Sequence, residues 1–389
     1  MGITLIVNPG SSSKKFALYK DDVRVLDAYV ESNVDGYNVC TLLRGVQQSC
    51  TTLNKRNFYD SINDFLNKAK DLNLIESFFD IKEVAVRVVA PGTYFQSHQI
   101  LDSKYLQKLK AVELLAPLHI PHLLKEIETI KKELPQARLL AVSDSAFHIT
   151  IPDFIRDYSL PEAEVQKYDI HRFGYHGLSV ASVMRKVHAV LGVEAKRIVV
   201  CHIGSGVSIT AVKDGKSLDN SMGYAPSGGL IMSSRAGDVD TGALLTLMQH
   251  KNLKPIDAQG FLQTSGGLKG VAEEIDLRLL LERKVKDEAK ASKAVASFVY
   301  QIRKTIGSYL VSLGGIDVLI FTATAGERSS ILRNLIARDL EDIGIVIDQD
   351  KNEACISKNG VISKMGSKIK VAVIKTDETD EMLRITKSL

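Results

Sequence analysis

The sequence contains no tryptophan and only four cysteines among its 389 residues. The cysteines are Cys40, Cys50, Cys201 and Cys355. None of them forms a C-x-x-C pair, which excludes a zinc ribbon and a thioredoxin-type motif. In a chain of this length we expect four reduced thiols in a cytosolic protein.

Long apolar runs and a strong charge excess are also missing. No run approaches the ~18 apolar residues of a membrane span, and the short run Ile3–Val7 predicts a strand instead of a signal peptide. The net charge of +4 is too small to indicate nucleic acid. We therefore expect no membrane or nucleic-acid partner and a cytoplasmic location. Hydrophobic residues at 45% and charged residues at 25% are typical of globular domains, and the length predicts two of them.

A strand, a turn of small or polar residues and a second strand occur twice in the chain. Strands at 3–7 and 16–19 flank the turn Asn8–Lys15, and strands at 197–201 and 207–212 flank the turn His202–Gly206. Because the two copies lie half a chain apart, they predict two structurally related domains. No Pro- or Ser-rich linker separates the halves, so we expect a ligand-binding cleft between closely packed domains.

Hydrophobic periodicity predicts a mixture of helices and strands elsewhere. Further strands are predicted at 24–30, 84–89, 139–143 and 318–321, and helices at 59–72, 103–114, 119–133, 285–313 and 329–342. A third turn of small residues, at 322–326, follows one of these strands.

Three turns could therefore bind phosphate through backbone N–H groups, and each has an ordinary alternative. The turn Asn8–Lys15 could be a polar hairpin loop, and Ala323–Glu327 could simply connect a strand to a helix. The sequence Gly204-Ser-Gly206 lacks the last glycine of G-x-G-x-x-G, where Ile209 stands. Their joint pattern favours a nucleotide, because a nucleotide bound in an interdomain cleft needs donors from both sides.

Several polar residues stand at positions where a charge is unusual. Arg87 interrupts an apolar strand, which costs several kcal/mol unless the charge is paired or reaches a cleft, and Arg235 lies in a polar loop. Each could be part of a structural salt bridge. Asp144 follows a buried strand, where α/β proteins collect functional residues, or it could cap a helix. The spacing of the histidines fits no zinc motif.

Six segments together carry a resemblance to a known family. They are Asn8–Phe16, Ser143–His148, Phe173–Ser179, Cys201–Gly206, Asp219–Pro226 and Ser234–Asp240. Through these segments, which lie in family order over nearly the whole chain up to Thr376–Glu378, the sequence resembles the acetokinase family of the sugar-kinase/Hsp70/actin superfamily.

The resemblance implies an α/β fold of two actin-like (ribonuclease H-like) domains with a nucleotide cleft between them. Residues 1–147 and 379–389 would form the N-terminal domain, and residues 148–378 the nucleotide-binding domain. The family's reaction is ATP + acetate ⇌ ADP + acetyl phosphate, with Mg²⁺ or Mn²⁺, carried out by a homodimer.

The resemblance also implies roles for individual residues. The catalytic set would be Arg87, Asp144, His176 and Arg235, with Arg87 also in the substrate pocket. The rest of that pocket would be Val89, Leu118, Tyr175 and Pro226, and the metal pair would be Asn8 and Glu378. The nucleotide would be bound by Lys15, His202, Gly204, Ser205, Gly206, Asp276, Leu277, Arg278, Ala323, Thr324, Ala325, Gly326 and Glu327.

Three positions depart from the family pattern. Ala90 replaces a histidine, Ser205 replaces an asparagine, and Thr324 replaces a glycine. These changes leave open the acyl chain length and the phosphoryl donor, so a propionate or butyrate kinase is an alternative. A catalytically weak nucleotide-binding sensor is a second alternative. A carbohydrate kinase fits less well, because it would need Asp144 as a base and would leave the acyl pocket unexplained.

Overall fold

The computed structural model describes residues 2–10, 13–33, 35–54, 56–117 and 119–389. The chain divides into two compact units, the first formed by Met1–Ala146 with Glu378–Leu389 and the second by Phe147–Asp377. The predicted domain boundaries lie one residue from these limits. The assignment of the two units as N-terminal and nucleotide-binding domains, and the cleft between them, stay predictions.

The first unit is built on an eight-stranded sheet, with the strand order β5-β4-β3-β2-β1-β6-β8-β7. Its strands are β1 (Ile3–Pro9), β2 (Ser13–Lys20), β3 (Val23–Asn33), β4 (Gly36–Leu43), β5 (Val46–Asn54), β6 (Ile81–Val88), β7 (Gln99–Ile100) and β8 (Arg138–Ser143). Strand β1 pairs antiparallel with β2 and parallel with β6, which in turn is parallel to β8.

The second unit is built on a six-stranded sheet, with the order β11-β10-β9-β12-β14-β13. Its strands are β9 (Arg197–Ile203), β10 (Val207–Lys213), β11 (Lys216–Asn220), β12 (Val318–Thr322), β13 (Gly360–Val361) and β14 (Lys370–Val373). Strand β9 is antiparallel to β10 and parallel to β12, and β12 is parallel to β14. The order β11-β10-β9-β12-β14 thus repeats the order β3-β2-β1-β6-β8, which confirms the predicted repeat of strand, turn and strand.

Helices cover the sheets in both units. The first unit contains α1 (Ser61–Asp71), α2 (Ser103–Ala111) and α3 (Ile120–Glu133). The second contains α4 (Asp153–Arg156), α5 (Glu162–Tyr168), α6 (Gly177–Leu191), α7 (Thr241–Lys251), α8 (Pro255–Thr264), α9 (Gly267–Ala272), α10 (Leu277–Val285), α11 (Ala289–Ser312), α12 (Ala323–Arg328), α13 (Ser330–Ala337) and α14 (Gln349–Ala354). The last helix, α15 (Glu378–Thr386), returns to the first unit and packs against β1, β6 and β8. Within the described residues, no helix has the length and apolar character needed to cross a membrane.

The prediction of four reduced cysteines is wrong for one pair. Cys40 on β4 and Cys50 on β5 lie directly opposite each other in the antiparallel register and form a disulfide bond. Adjacent antiparallel strands bring opposite residues close together, and here the two Cα atoms are 4.0 Å apart. Cys201 and Cys355 are free and buried.

Two predicted turns also differ from the structure. Most of Asn8–Lys15 continues the strands, since Asn8 pairs with Lys15 and Pro9 with Lys14; Ser11 and Ser12 lie outside the described residues. The second turn is helical, because residues 323–328 form α12. The helix predicted at 329–342 is shorter and ends at Ala337.

Candidate active site

Four of the predicted residues come together at one edge of the first sheet. Because β1, β6 and β8 are parallel, their carboxyl ends meet at the same edge. Asn8 lies near the end of β1, Arg87 near the end of β6, and Asp144 directly after β8. Glu378 is the first residue of α15, the helix that packs on these strands. The topology alone therefore places all four side chains near one another.

The guanidinium of Arg87 is the centre of this first cluster, which consists of Asn8, Arg87, Asp144 and Glu378. Its Nε donates to Asp144 Oδ1 at 3.0 Å, and its Nη1 donates to Asn8 Oδ1 at 3.1 Å and to Glu378 Oε2 at 3.3 Å. The Asn8 Nδ2 amide donates to the same Glu378 oxygen at 2.7 Å. The four residues form one hydrogen-bonded group.

The first cluster holds its charges away from most of the solvent. The side chain of Arg87 is 15% exposed and that of Asp144 is 1% exposed. Burial opposes the charged form of Arg87, but the negative charges of Asp144 and Glu378 outweigh burial and raise the pKa of the guanidinium. The guanidinium of Arg87 is thus held between two carboxylates.

A small cavity adjoins the first cluster. Its volume is about 20 Å³ and it is lined by Pro9, Gly10, Arg87, Val89, His119, His122 and Leu123. Such a volume holds about one water molecule. Two residues of the predicted substrate pocket, Arg87 and Val89, therefore line the same cavity. Leu118, also predicted for this pocket, lies outside the described residues.

In the second unit, His176 and His202 form a stacked pair. Their ring centroids are 4.0 Å apart. His176 caps the N-terminus of α6 in a left-handed backbone conformation (φ 60°), which is uncommon for a residue other than glycine. Its Nδ1 lies 2.9 Å from Ser208 Oγ, and His202 Nδ1 lies 2.8 Å from Ser179 Oγ. Each imidazole is therefore oriented by a serine hydroxyl.

Gly206 and Arg235 complete this second cluster, which consists of His176, His202, Gly206 and Arg235. A Cβ atom built on Gly206 would lie 3.0 Å from His176 Nε2 and 3.7 Å from Arg235 Nη1. Arg235 Nη1 also donates to the carbonyl oxygen of Pro226 at 2.9 Å. A guanidinium and an imidazole thus lie close to a glycine at which a side chain would crowd the imidazole, an arrangement suited to binding an anion.

The predicted nucleotide segments follow two neighbouring parallel strands. Strands β9 and β12 end at Ile203 and Thr322, and a Cβ built on Gly204 would lie 3.8 Å from Ala323 Cβ. Glu327 Oε1 accepts hydrogen bonds at 3.0 Å from the backbone N–H groups of Ala323 and Thr376. This carboxylate therefore ties α12 to the segment before α15, a structural contact that the loop prediction did not include.

The remaining predicted residues make local contacts. Lys15 is exposed on β2, with its ammonium 5.6 Å from the centre of the Tyr29 ring. Asp276 caps α10 and accepts from the Arg278 backbone at 2.8 Å and from its guanidinium at 2.5 Å. The hydroxyl of Tyr175 donates to the carbonyl oxygen of Tyr224 at 2.7 Å.

Sequence reasoning missed the serine partners of the two histidines. Ser208 is a polar residue inside the buried strand β10, and Ser179 stands three residues after His176. A serine within a buried strand was the only signal, and a weak one, because a buried hydroxyl needs a partner. His119 and His122, which line the small cavity, were also missed.

The described residues contain no group of three or more His, Cys, Asp or Glu side chains arranged to hold a metal ion. The oxygens near Arg87 nevertheless suit a hard cation such as Mg²⁺, which is bound by one or two carboxylates, retains several waters and binds substrate phosphates. Asn8, Asp144 and Glu378 supply such oxygens.

Two α/β sheets that share a five-strand order, each with polar side chains beyond the carboxyl ends of its parallel strands, are the arrangement expected of a protein built from two actin-like domains. Comparison with known proteins narrows the class. The model of the acetokinase family matches residues 3–384, and the chain belongs to this family. Its members are kinases that phosphorylate a carboxyl group.

Individual relatives agree with this membership. The acetate kinase of Thermoanaerobacter pseudethanolicus is 34% identical over 395 residues, covering 99% of this chain and 98% of the relative. The crystal structure of Porphyromonas gingivalis acetate kinase matches with a TM-score of 0.86 and 32% identity, covering 100% of this chain and 99% of that one. A propionate kinase from Francisella tularensis matches with a TM-score of 0.89 and 30% identity, covering 100% of both chains. The predicted fold of two actin-like domains is confirmed.

Proposed function

We propose that this protein transfers the γ-phosphoryl group of ATP to the carboxylate of a short acid, with acetate as the first candidate, and that it catalyses the reverse reaction. The observation that carries this proposal is the pairing of Asp144 with Arg87. The carboxylate of Asp144 receives Nε and Nη2 of the guanidinium, each at 3.0 Å. A carboxylate that is paired in this way is poorly placed to act as a general base. The pairing therefore favours an acceptor that needs no base, a carboxylic acid, over a sugar.

The chemistry of the acceptor is consistent with the charges available. A carboxylic acid with a pKa of about 4 is already ionised at neutral pH. One of its oxygens forms a bond to the γ-phosphorus while the bond to the β,γ-bridging oxygen breaks, and ADP leaves with the electron pair. No proton needs to move. The barrier lies in bringing two anions together, and cations and fixed donors lower it.

The charged side chains would divide this work. Arg87 would bind the carboxylate of the acid, with Val89, Leu118, Tyr175 and Pro226 around the acyl group. Arg235 would neutralise charge on the transferring phosphoryl group, and His176 would donate a hydrogen bond to it. The contacts of Arg235 with Pro226 and of His176 with Ser208 support these roles, because they restrict both side chains before a substrate binds.

We propose Mg²⁺, or Mn²⁺ in its place, as the metal. Asn8 and Glu378 would hold it, and the hydrogen bond between their side chains supports this assignment, because it keeps an amide group and a carboxylate side by side. When bound, the ion would neutralise charge on the phosphate oxygens. Asp144 would position Arg87 and the groups around the metal.

The nucleotide would bind to the small-residue segments after β9 and β12. The first contains His202, Gly204, Ser205 and Gly206, and the second Ala323, Thr324, Ala325, Gly326 and Glu327. Lys15 and the segment Asp276–Arg278 would add contacts. The close approach of Gly204 and Ala323 supports a shared binding surface, since small residues let backbone N–H groups reach phosphate.

We also propose that the protein is a homodimer. Helix α7 contains four large apolar residues, Leu244, Leu245, Leu247 and Met248, but none of its residues is buried. Leu245 is 58% exposed. An apolar helix with no buried face indicates a surface that another chain covers, and a second copy is the occupant that requires no further protein.

A cytoplasmic location follows from the proposed co-substrate, because ATP is made and used there. The disulfide of Cys40 and Cys50 is unusual for that compartment. Alkylation of free thiols at the moment of cell lysis, followed by mass spectrometry, would show whether this pair is oxidised in the cell. If Cys40 and Cys50 are alkylated, they were free thiols in the cell, which would agree with a reducing compartment.

The hydroxamate assay for acyl phosphates tests the proposed activity. It would be run with acetate, propionate and butyrate, and with ATP, GTP and pyrophosphate as donors, in the presence of Mg²⁺. The proposal expects an acyl phosphate from at least one short acid with ATP. Nucleotide binding without an acyl phosphate from any acid or donor would indicate the sensor alternative.

A further inference from the structure

A buried ion pair in the first unit lies outside the clusters described above. Lys14 on β2 and Glu126 on α3 both occupy positions that face the core, and their side chains are 1% and 0% exposed. The Lys14 ammonium is 2.5 Å from Glu126 Oε2. A buried pair of this kind costs free energy for desolvation. Its position close to the candidate site therefore suggests that it has a role there.

The ion pair continues into two aromatic rings. The Lys14 ammonium donates to the carbonyl oxygen of Phe58 at 2.9 Å and lies 4.2 Å from the centre of its ring. It also lies 4.6 Å from the centre of the Tyr59 ring. Distances of this kind give favourable cation–π contacts, which are stronger in a desolvated setting. Lys14 thereby fixes the position of Tyr59.

Tyr59 in turn determines the state of His122. The hydroxyl of Tyr59 is hydrogen-bonded to His122 Nδ1. Burial, and then the charge of Glu126, raises the pKa of Tyr59, while burial, and then the charge of Lys14, lowers the pKa of His122. Tyr59 therefore stays a phenol and His122 a neutral imidazole. The Tyr59 hydroxyl has no other hydrogen-bond partner within the described residues, so its proton lies toward Nδ1, which accepts. This assigns the ring proton to Nε2, which makes the other side of the ring a donor.

His122 also lines the cavity of about 20 Å³ that contains Arg87 and Val89. The cavity has room for one oxygen-sized or methyl-sized group. Volume alone therefore does not distinguish a hydroxyl group from a methyl group. A neutral imidazole on its wall does distinguish them, because it can form a hydrogen bond with a hydroxyl group and cannot form one with a methyl group.

We propose that His122 is a specificity-determining residue that donates a hydrogen bond to a hydroxyl group on the acid substrate. The inference rests on the proposed function, which places the acid beside Arg87 and Val89. Among short acids larger than acetate, this hydrogen bond would favour those with a hydroxyl group on the carbon next to the carboxylate. Glycolate and propionate are a matched pair for this question, because they differ only in a hydroxyl in place of a methyl group.

A hydrogen bond of this kind gives a large discrimination in one direction. A site built to bind a hydroxyl group rejects the analogue that lacks it far more strongly than an apolar pocket rejects an added hydroxyl. Tyr59 would be a positioning residue that acts through the tautomer of His122, and Lys14 and Glu126 would hold Tyr59.

The test is the ratio of kcat/KM for glycolate to kcat/KM for propionate, measured with ATP and Mg²⁺ in the full chain, with acetate as a third acid. In the wild-type protein we expect the ratio to be on the order of ten or more. His122→Leu should lower it by about tenfold or more, and His122→Asn, which retains a donor, should restore part of it. Tyr59→Phe keeps the ring and should lower the ratio less than His122→Leu.

His188→Leu is the matched control, because His188 is 71% exposed on α6, and it should leave the ratio unchanged. A wild-type ratio near one, or equal losses for all acids in His122→Leu, would overturn the inference while leaving the proposed function intact. Failure of the wild-type protein to phosphorylate any acid would overturn the proposed function, and this inference with it.

Discussion

At the scale of single residues, Arg235 is the side chain on which the proposed chemistry depends most. Its guanidinium is half-buried beside His176 and donates to the carbonyl oxygen of Pro226. We expect Arg235→Ala to lower kcat by about 10²–10³-fold, because a fixed cation at the transferring phosphoryl group is lost. Steady-state assay of acyl phosphate formation measures this effect.

The control for Arg235→Ala is Arg338→Ala, since the Arg338 side chain is 66% exposed. Both variants should keep the circular dichroism spectrum and melting temperature of the wild-type protein. Turnover by Arg235→Ala close to that of Arg338→Ala would remove Arg235 from the catalytic set.

Asp219 gives a prediction about pH. Burial raises the pKa of this carboxyl to about 6, whereas an Asp in an unfolded chain titrates near pKa 3.9. Between these values the folded protein holds a proton that the unfolded chain has lost. The free energy of unfolding therefore falls as the pH rises through this window.

Asp219→Asn should remove this dependence, because the amide does not ionise and its oxygen can still accept from the Asn220 N–H. Urea denaturation at about pH 4.5 and about pH 7.5 would measure it. The variant should gain stability relative to the wild-type protein at the higher pH only. An equal difference at both pH values would show that burial does not raise the pKa of this carboxyl.

The members of the first cluster could be named from the sequence, but the hydrogen bonds between them could not. Arg87 and Asp144 stand out because a charge in or after an apolar strand needs a partner. Ser208 and Ser179 give little signal, since serine is common in every setting. The Lys14–Glu126 pair was invisible to sequence reasoning, because nothing in either segment shows that the two positions face each other.

At the scale of elements, that pair joins strand β2 to helix α3. Lys14→Met alone should lower the free energy of unfolding by about 3–5 kcal/mol, because it leaves Glu126 as an unpaired charge in the core. The double variant Lys14→Met/Glu126→Leu should lie within about 1 kcal/mol of the wild-type protein, since two apolar residues can replace a buried pair.

Equilibrium denaturation of the wild-type protein, Lys14→Met, Glu126→Leu and the double variant forms a complete thermodynamic cycle. If the losses of the single variants add in the double variant, the two charges do not interact and the ion pair is not present in solution.

Elements with a strong apolar pattern were predicted well, and polar ones were missed. Strand β8 and helix α11 carry continuous or periodic apolar residues. The hairpin of β4 and β5 was missed because β5 is polar and largely exposed, so no alternation marks it. Its pairing, including the disulfide between Cys40 and Cys50, depends on register with β4 and not on any local signal. The turn predicted at Ala323–Glu327 became α12, where the Glu327 carboxylate caps the first N–H of the helix.

At the scale of the whole molecule, the presence of two related domains could be predicted, because each copy begins with the same strand, turn and strand; their common strand order could not. The proposed homodimer could not be derived from the sequence pattern, and the unburied face of α7 now supports it. Leu245→Glu should convert the dimer to a monomer, because it places a charge in the apolar contact. Sedimentation equilibrium measures the mass directly.

The control for that experiment is Leu114→Glu, which replaces a leucine of the first unit that is 77% exposed. This variant should remain dimeric. If Leu245→Glu and the wild-type protein have the same mass, the face of α7 is not the dimer contact.

The central claim is that the carboxylate of a short acid attacks the γ-phosphorus of ATP. The most direct measurement uses acetate labelled with ¹⁸O in both carboxylate oxygens and follows the product by ³¹P NMR in the presence of Mg²⁺. We predict acetyl phosphate whose phosphorus signal carries the isotope shift of one ¹⁸O atom, formed together with an equal amount of ADP. ADP formed together with unlabelled inorganic phosphate and no acyl phosphate would contradict the claim.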